Sequence, residues 1–195
     1  MKKMISLLLA GLMASAACAG LVSGADSFGI YFDTAGNTNC TTAAAMDTVT
    51  AYLLLMNPAG PTEAFECSVS MSGAPYMILS TVTGGCLCMT DGGFCGPYQF
   101  AHGCEDDFPV TEDGAIVLVT WRILLQAPSE LLFHIGPSKL PSLPGGLPVL
   151  LGDSVLRQGA VASGDVNLPV AGINAAVCPT SDEINTFGAV KGLFR

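Results

Sequence analysis

The stretch Glu63-Ala64-Phe65-Glu66-Cys67-Ser68-Val69-Ser70-Met71 alternates almost without fault. Phe65, Cys67, Val69 and Met71 fall on one side, and Ala64, Glu66, Ser68 and Ser70 on the other. A helix of about 3.6 residues per turn would scatter these side chains round its axis, whereas a strand divides them between two faces. The same period of two runs through residues 27–33, where Phe28, Ile30 and Phe32 alternate with Gly29, Tyr31 and Asp33. It returns over residues 130–135, with Leu131, Phe133 and Ile135 against Glu130, Leu132 and His134. The dominant signal is therefore the strand.

Two further runs, 49–56 and 116–125, are apolar on both faces and read as central strands. In the second, strict parity puts Val117, Val119, Trp121, Ile123 and Leu125 on one purely apolar side, which is assigned to the core. The loop 84–113 is expected to give these strands part of their outer cover. Turn clusters separate the runs, at Asn57-Pro58-Ala59-Gly60-Pro61 and at Asp113-Gly114. Residues 136–148 hold Gly136, Pro137, Pro141, Pro144, Gly145, Gly146 and Pro148, a loop expected to cross between sheets. No helical pattern intervenes before the end. The fold expected is all-β, an antiparallel β-sandwich over residues 26–180 with a Cys/Gly-rich loop at 84–113. Residues 181–195 form a C-terminal tail or short helix. There Phe187, Val190 and Phe194 recur at helical spacing, and docking on the sandwich is the simplest reading.

The first 25 residues read as an address. Lys2 and Lys3 precede the apolar run 5–13, and small residues follow. That is the order of a secretory signal peptide, and the run is shorter than the roughly 20 residues a membrane span needs. Cleavage is expected after Ala25, with Ala19 as the alternative and lipidation of Cys18 as a weaker one. No long apolar segment follows, so no transmembrane helix is expected in the mature chain.

The chain has 195 residues, 50% of them hydrophobic and 12% charged, with a net charge of −9. Loss of the leader removes two lysines and no acids, so the charge becomes −11. Such acidity excludes the basic footprint that nucleic-acid binding needs. After cleavage seven cysteines remain: Cys40, Cys67, Cys86, Cys88, Cys95, Cys104 and Cys178. In an exported chain these are disulfide candidates, and an odd number leaves at least one unpaired. The pairing itself stays open.

Chemical motifs are sparse. There is no Gly-x-Ser-x-Gly elbow, no His-Glu-x-x-His and no phosphate-cradling glycine loop. Cys86, Cys88, Cys95 and Cys104 with His102 have the donor types of a zinc site, but the one-residue gap between Cys86 and Cys88 favours a disulfide-stapled loop. A Cys–His nucleophile pair at His102 meets the same objection. Asp33-Thr34-Ala35-Gly36-Asn37-Thr38-Asn39 offers oxygen ligands for calcium, without EF-hand spacing. The acids Glu105, Asp106, Asp107, Glu112 and Asp113 crowd the loop 84–113.

Three stretches carry a family resemblance: Ala51-Tyr52-Leu53-Leu54-Leu55-Met56-Asn57-Pro58, the alternating run 64–71, and 116–125. Their order of strand, turn, alternating strand and later apolar strand resembles the cohesin-like and immunoglobulin-like sandwiches of bacterial secreted proteins, over residues 27–174. The resemblance implies a binding or assembly module and no catalyst. The last ten residues also look like an ending found on uncharacterised secreted bacterial proteins.

The expectation is a secreted, periplasmic or cell-surface module without catalytic residues or cofactor. Its partner would be a protein or glycan outside the cytoplasm. The alternatives are a carbohydrate-binding module, which would show an exposed aromatic row, and a hydrolase using the loop 84–113.

Overall fold

The computed structural model describes residues 24–84, 86–89 and 95–179. The leader expected over 1–25 lies outside them, apart from residues 24 and 25, and so does the tail 181–195. Among the described residues thirteen strands follow in chain order: β1 (Ser27–Tyr31), β2 (Cys40–Thr41), β3 (Thr48–Met56), β4 (Ala64–Gly73), β5 (Tyr76–Val82), β6 (Leu87–Cys88), β7 (Gln99–Gly103), β8 (Ala115–Leu125), β9 (Leu131–Gly136), β10 (Val149–Gly152), β11 (Val155–Gln158), β12 (Ala160–Val161) and β13 (Ala171–Ile173). They form two sheets. The first runs β12-β1-β3-β8-β5, and the second runs β11-β10-β4-β9-β13-β2 with β7 and β6 added beside β4. The molecule is the expected all-β sandwich. Its ladders are antiparallel except for two short parallel pairs, β1 with β12 and β2 with β13.

The alternating run decides this arrangement as its period implies. In β4, Phe65, Cys67 and Val69 are buried in the layer between the sheets, while Ala64, Glu66 and Ser68 lie on the other face. β4 is also the hub of the second sheet. β10 and β7 flank it over Ala64–Glu66, and β9 pairs with it from Ser68 to Gly73. At its end Gly73 has φ +115°, and a Cβ there would run into the Glu130 carbonyl oxygen, so only glycine fits.

Three expectations need correction. First, the strict parity of β8 fails at its start. A bulge opposite Leu53 and Leu54 inserts Leu118 as an extra residue. Ile116 and Leu118 therefore join Val119, Trp121, Ile123 and Leu125 in the core, and Val117 turns to the outer face. A single bulge reverses the facing of every residue before it. Second, among the described residues the apolar cluster on the outer face of β3 and β8 takes no side chain from 84–113. Tyr31 and Ala115 form a small outer cluster with Leu54, flanked by Tyr52, Met56 and Val117. The Tyr31 ring folds back over Gly29, where a Cβ would lie 2.5 Å from Cε2. Third, the proline-rich segment does not cross between sheets. It links β9 to β10, both in the second sheet. It is fastened across that sheet's outer face, because Ser142 donates through N–H and Oγ to the Glu66 carboxylate and the Gln158 amide donates to the Pro144 carbonyl.

The first sheet's far edge, β5, carries a second irregularity, with Leu79 as the extra residue between Ile78 and Ser80. At the opposite corner Arg157 fastens β11 to the start of the fold. Its guanidinium donates to Asp26 at 3.0 Å and to the Pro61 carbonyl at 3.0 Å. Asp26 in turn accepts from the Ala59 N–H at 2.9 Å.

Candidate binding groove

The cysteines settle several chemical readings. Cys40 is bonded to Cys178, Cys86 to Cys104, and Cys88 to Cys95. Cys67, counted among the disulfide candidates, is a free thiol sealed in the core. Burial pushes its pKa well above the ordinary range, and the neighbouring Glu66 charge adds to that, so it is not a nucleophile. The four sulfurs of 86–104 are bonded to one another and cannot serve as zinc ligands. Among the described residues no group of three or more His, Cys, Asp and Glu side chains could hold a metal. The Asp33 turn directs its carboxylate inward on itself, with Oδ1 accepting the Asn37 N–H at 3.1 Å.

His102 is the other residue singled out for chemistry, and its surroundings are those of a core side chain. It sits on β7, 8% exposed, with its ring 5.8 Å from Phe65 at an interplanar angle of 17°. Phe100, on the same face, is also 5.8 Å away. Its Nδ1 is buried with no hydrogen-bond partner. Burial holds its pKa below the ordinary value of 6.5, so the ring is neutral at neutral pH. The unfolded imidazole binds its proton first as pH falls, so the contribution of this group is full above about 6.5 and lost on acidification below it. We expect wild-type stability to fall below pH 6.5 relative to that of His102→Phe, which keeps the stack and removes the orphaned nitrogen. Urea midpoints of both proteins from pH 8 to pH 5 measure this, and parallel profiles would refute it.

A sugar-stacking face needs a row of exposed aromatic rings. Trp121 is fully buried, and its Nε1–H donates to the Pro97 carbonyl at 3.1 Å. Tyr31 is buried, and among the described aromatic side chains only Tyr98 is exposed. One exposed ring does not make a row.

What the fold does build is a groove on the outer face of the second sheet. Its floor is the outward parity of three adjacent strands: Ala64 on β4, Ala101 on β7, and Val149 with Leu151 on β10. One wall is Met89, which follows β6 and donates its N–H to the Ala101 carbonyl at 2.7 Å. The Met89 side chain lies over Gly103, where a Cβ would meet its sulfur at 2.7 Å. The other wall is Leu156 of β11, paired with Leu151 and 45% exposed. Glu66, held by Ser142, closes one end. The cavity between the walls is about 130 Å³. Beyond Met89 and Leu151 it continues into a wider depression rimmed by Leu87, Glu63, Glu105, Asp106 and Asp107.

Two disulfides stiffen the Met89 wall, since Cys86–Cys104 and Cys88–Cys95 tie β6 to the chain on either side of β7. The sequence reading took 84–113 as one loop and so missed β7, whose Phe100 is fully buried. The signal was present in Gln99-Phe100-Ala101-His102, but it is too short to register against six nearby glycines. It also missed the β10–β11 hairpin. There the two turn residues, Asp153 and Ser154, both take positive φ, at 51° and 61°, and neither is a glycine.

No family model matches the sequence, and no curated protein matches it. Among solved structures, the chain is similar to the type II cohesin dyad from the adaptor ScaA scaffoldin of Acetivibrio cellulolyticus. That match has 16% identity, covers 78% of this chain and 49% of that one, and has a TM-score of 0.47. This chain thus spans about half the length of the dyad. It is also similar to the sixth cohesin of scaffoldin B of the same organism, solved in complex with a Cel5 dockerin, at 14% identity, 76% and 98% coverage and a TM-score of 0.42. A type II cohesin domain from that organism's cellulosome matches at 17% identity, 77% and 96% coverage and a TM-score of 0.43.

Proposed function

We propose that this protein is an exported, non-catalytic binding or assembly module, and that the groove between Met89 and Leu156 is where it grips a polypeptide segment. The observation that carries this reading is an apolar trough, set on paired strands and braced by disulfides, with an acidic rim at one end. Its chemistry fits a segment that brings aliphatic or aromatic side chains together with Lys or Arg. The three disulfides fit an oxidising compartment, and so does the expected leader. A segment laid along a sheet face gains affinity from apolar contacts in the trough and orientation from the charged rim.

A random-peptide display library panned on the intact chain tests the reading. The expected result is enrichment of sequences combining apolar residues with Lys or Arg, abolished by Leu156→Glu. Leu156 is half exposed, so this change leaves the core alone. No enrichment, or enrichment indifferent to Leu156→Glu, would overturn it.

A further inference from the structure

We infer that the groove takes a single aliphatic or aromatic side chain as an anchor, and that the acids beyond it read a Lys or Arg two positions from that anchor in an extended segment. This rests on the reading of the groove as a polypeptide site and adds the motif it selects. Size sets the anchor. The cavity of about 130 Å³ is close to the roughly 150 Å³ of an apolar cavity that holds one benzene, so it admits one side chain of Leu, Met or Phe size and no second. Its floor is apolar, and Glu66 at its closed end already accepts both the N–H and the Oγ–H of Ser142. Nothing at that end calls for a cation.

The other end does. Glu63, Glu105, Asp106 and Asp107 rim the depression that shares Ala64, Met89 and Leu151 with the groove, and among the described residues no Lys, Arg or His lines it. Backbone bonds pin the acidic stretch at both ends. The Cys104 N–H donates to the Glu63 carbonyl at 2.8 Å, and the Phe108 N–H to the Thr62 carbonyl at 2.8 Å. Cys104 is also bonded to Cys86, and Phe108 is buried. The acids are thus held together against their mutual repulsion. They do not converge on a metal position, so the partner they fit is a side-chain cation. Register sets the spacing. Ala64 on the floor is paired with Gly103, and Glu105 stands two residues further along that chain, about 7 Å on. Side chains on one face of an extended segment are the same distance apart, about 7 Å, at i and i+2. A helix is about 10–12 Å across with its side chains. It does not fit between the walls, because β7 and β11 are three strand steps or about 14 Å apart and the Met89 and Leu156 side chains stand within that span.

The test titrates the intact chain with fluorescent Gly/Ser peptides that carry one Phe and one Lys at separations of one to four. Separation two is expected to bind at least tenfold more tightly than separation one, which sends the two side chains to opposite faces. Ala64→Leu, which fills the cavity from its half-buried floor, should weaken that peptide at least tenfold. Glu105→Lys, Asp106→Lys and Asp107→Lys together, all at exposed positions, should reverse the charge preference, so that the peptide with Glu in place of Lys binds more tightly. A preference for three or four, indifference to separation, or an unreversed charge preference would overturn the inference. If that binding is still abolished by Leu156→Glu, the groove remains a polypeptide site. Library enrichment that depends on Leu156 but lacks this spacing has the same meaning. Absence of both peptide binding and library enrichment removes the groove reading as well.

Discussion

Replacing Cys40 and Cys178 together by serine is expected to lower the unfolding free energy by about 5 kcal/mol. The bond joins residues 138 apart, so its loss frees almost the whole domain in the unfolded state, and the chain-entropy relation gives about that figure. The native side has little to compensate. β2 has two residues and β13 has three, and their parallel pairing is the last ladder of the second sheet. Side chains assist there: Asn39 donates to the Val170 and Pro179 carbonyls, and Asn174 donates to the Ala43 carbonyl at 2.8 Å. Each such bond contributes about 1 kcal/mol net, so they cannot replace the link. The control is Cys88→Ser with Cys95→Ser, whose separation of 7 predicts about 2.5 kcal/mol by the same relation. Urea unfolding without reductant measures both. A loss for the first pair no larger than for the second would refute the account.

Trp121→Ala is expected to cost about 4 to 5 kcal/mol, at the upper end for a large-to-small core change. The ring is fully buried in the middle of β8, edge-on to Phe100 at 5.7 Å and 71°. Phe100 stacks on Phe65 at 6.0 Å, and Phe65 meets Phe108 edge-on at 5.7 Å. Removing the indole empties the end of this row and strips the Pro97 carbonyl of its donor. The surrounding strands belong to both sheets and cannot close the void without shifting against each other. Trp121→Phe keeps most of the volume and loses the hydrogen bond, so about 2 kcal/mol is expected. Far-UV circular dichroism follows these unfolding curves, since Trp121 is the only tryptophan and both changes remove its fluorescence. A cost below about 2 kcal/mol for the alanine change would mean that the layer is not held by this row.

How much of this was legible in the sequence depends on the length of each pattern. β4 and β9 declared themselves, because alternation over six or more residues is hard to produce otherwise. β8 was legible as a central strand and illegible in its first turns, since the bulge at Leu118 is set by pairing with β3 and leaves no mark in a run of apolar residues. The proline-rich segment was rightly a loop, but its destination depends on which strand β10 joins, a long-range choice. The groove was illegible for a related reason. It needs Ala64, Ala101, Val149 and Leu156 on one surface, and only the β4 register with β7 and β10 brings them together. For His102 the sequence supplied the residue and not its neighbours: a histidine among cysteines suggests ligation, and the fold stacks it on phenylalanine instead.

The extra residue in β5 bears on how the protein behaves in a crowd. That outer rim of the first sheet shows Met77, Leu79 and Val82 to solvent, and a straight rim of such residues is a template on which identical copies zip into fibrils. The kink at Leu79 breaks the spacing of hydrogen-bonding groups midway, so an incoming strand can match one half or the other and never both. A molecule that exposes so greasy an edge can in this way remain dispersed.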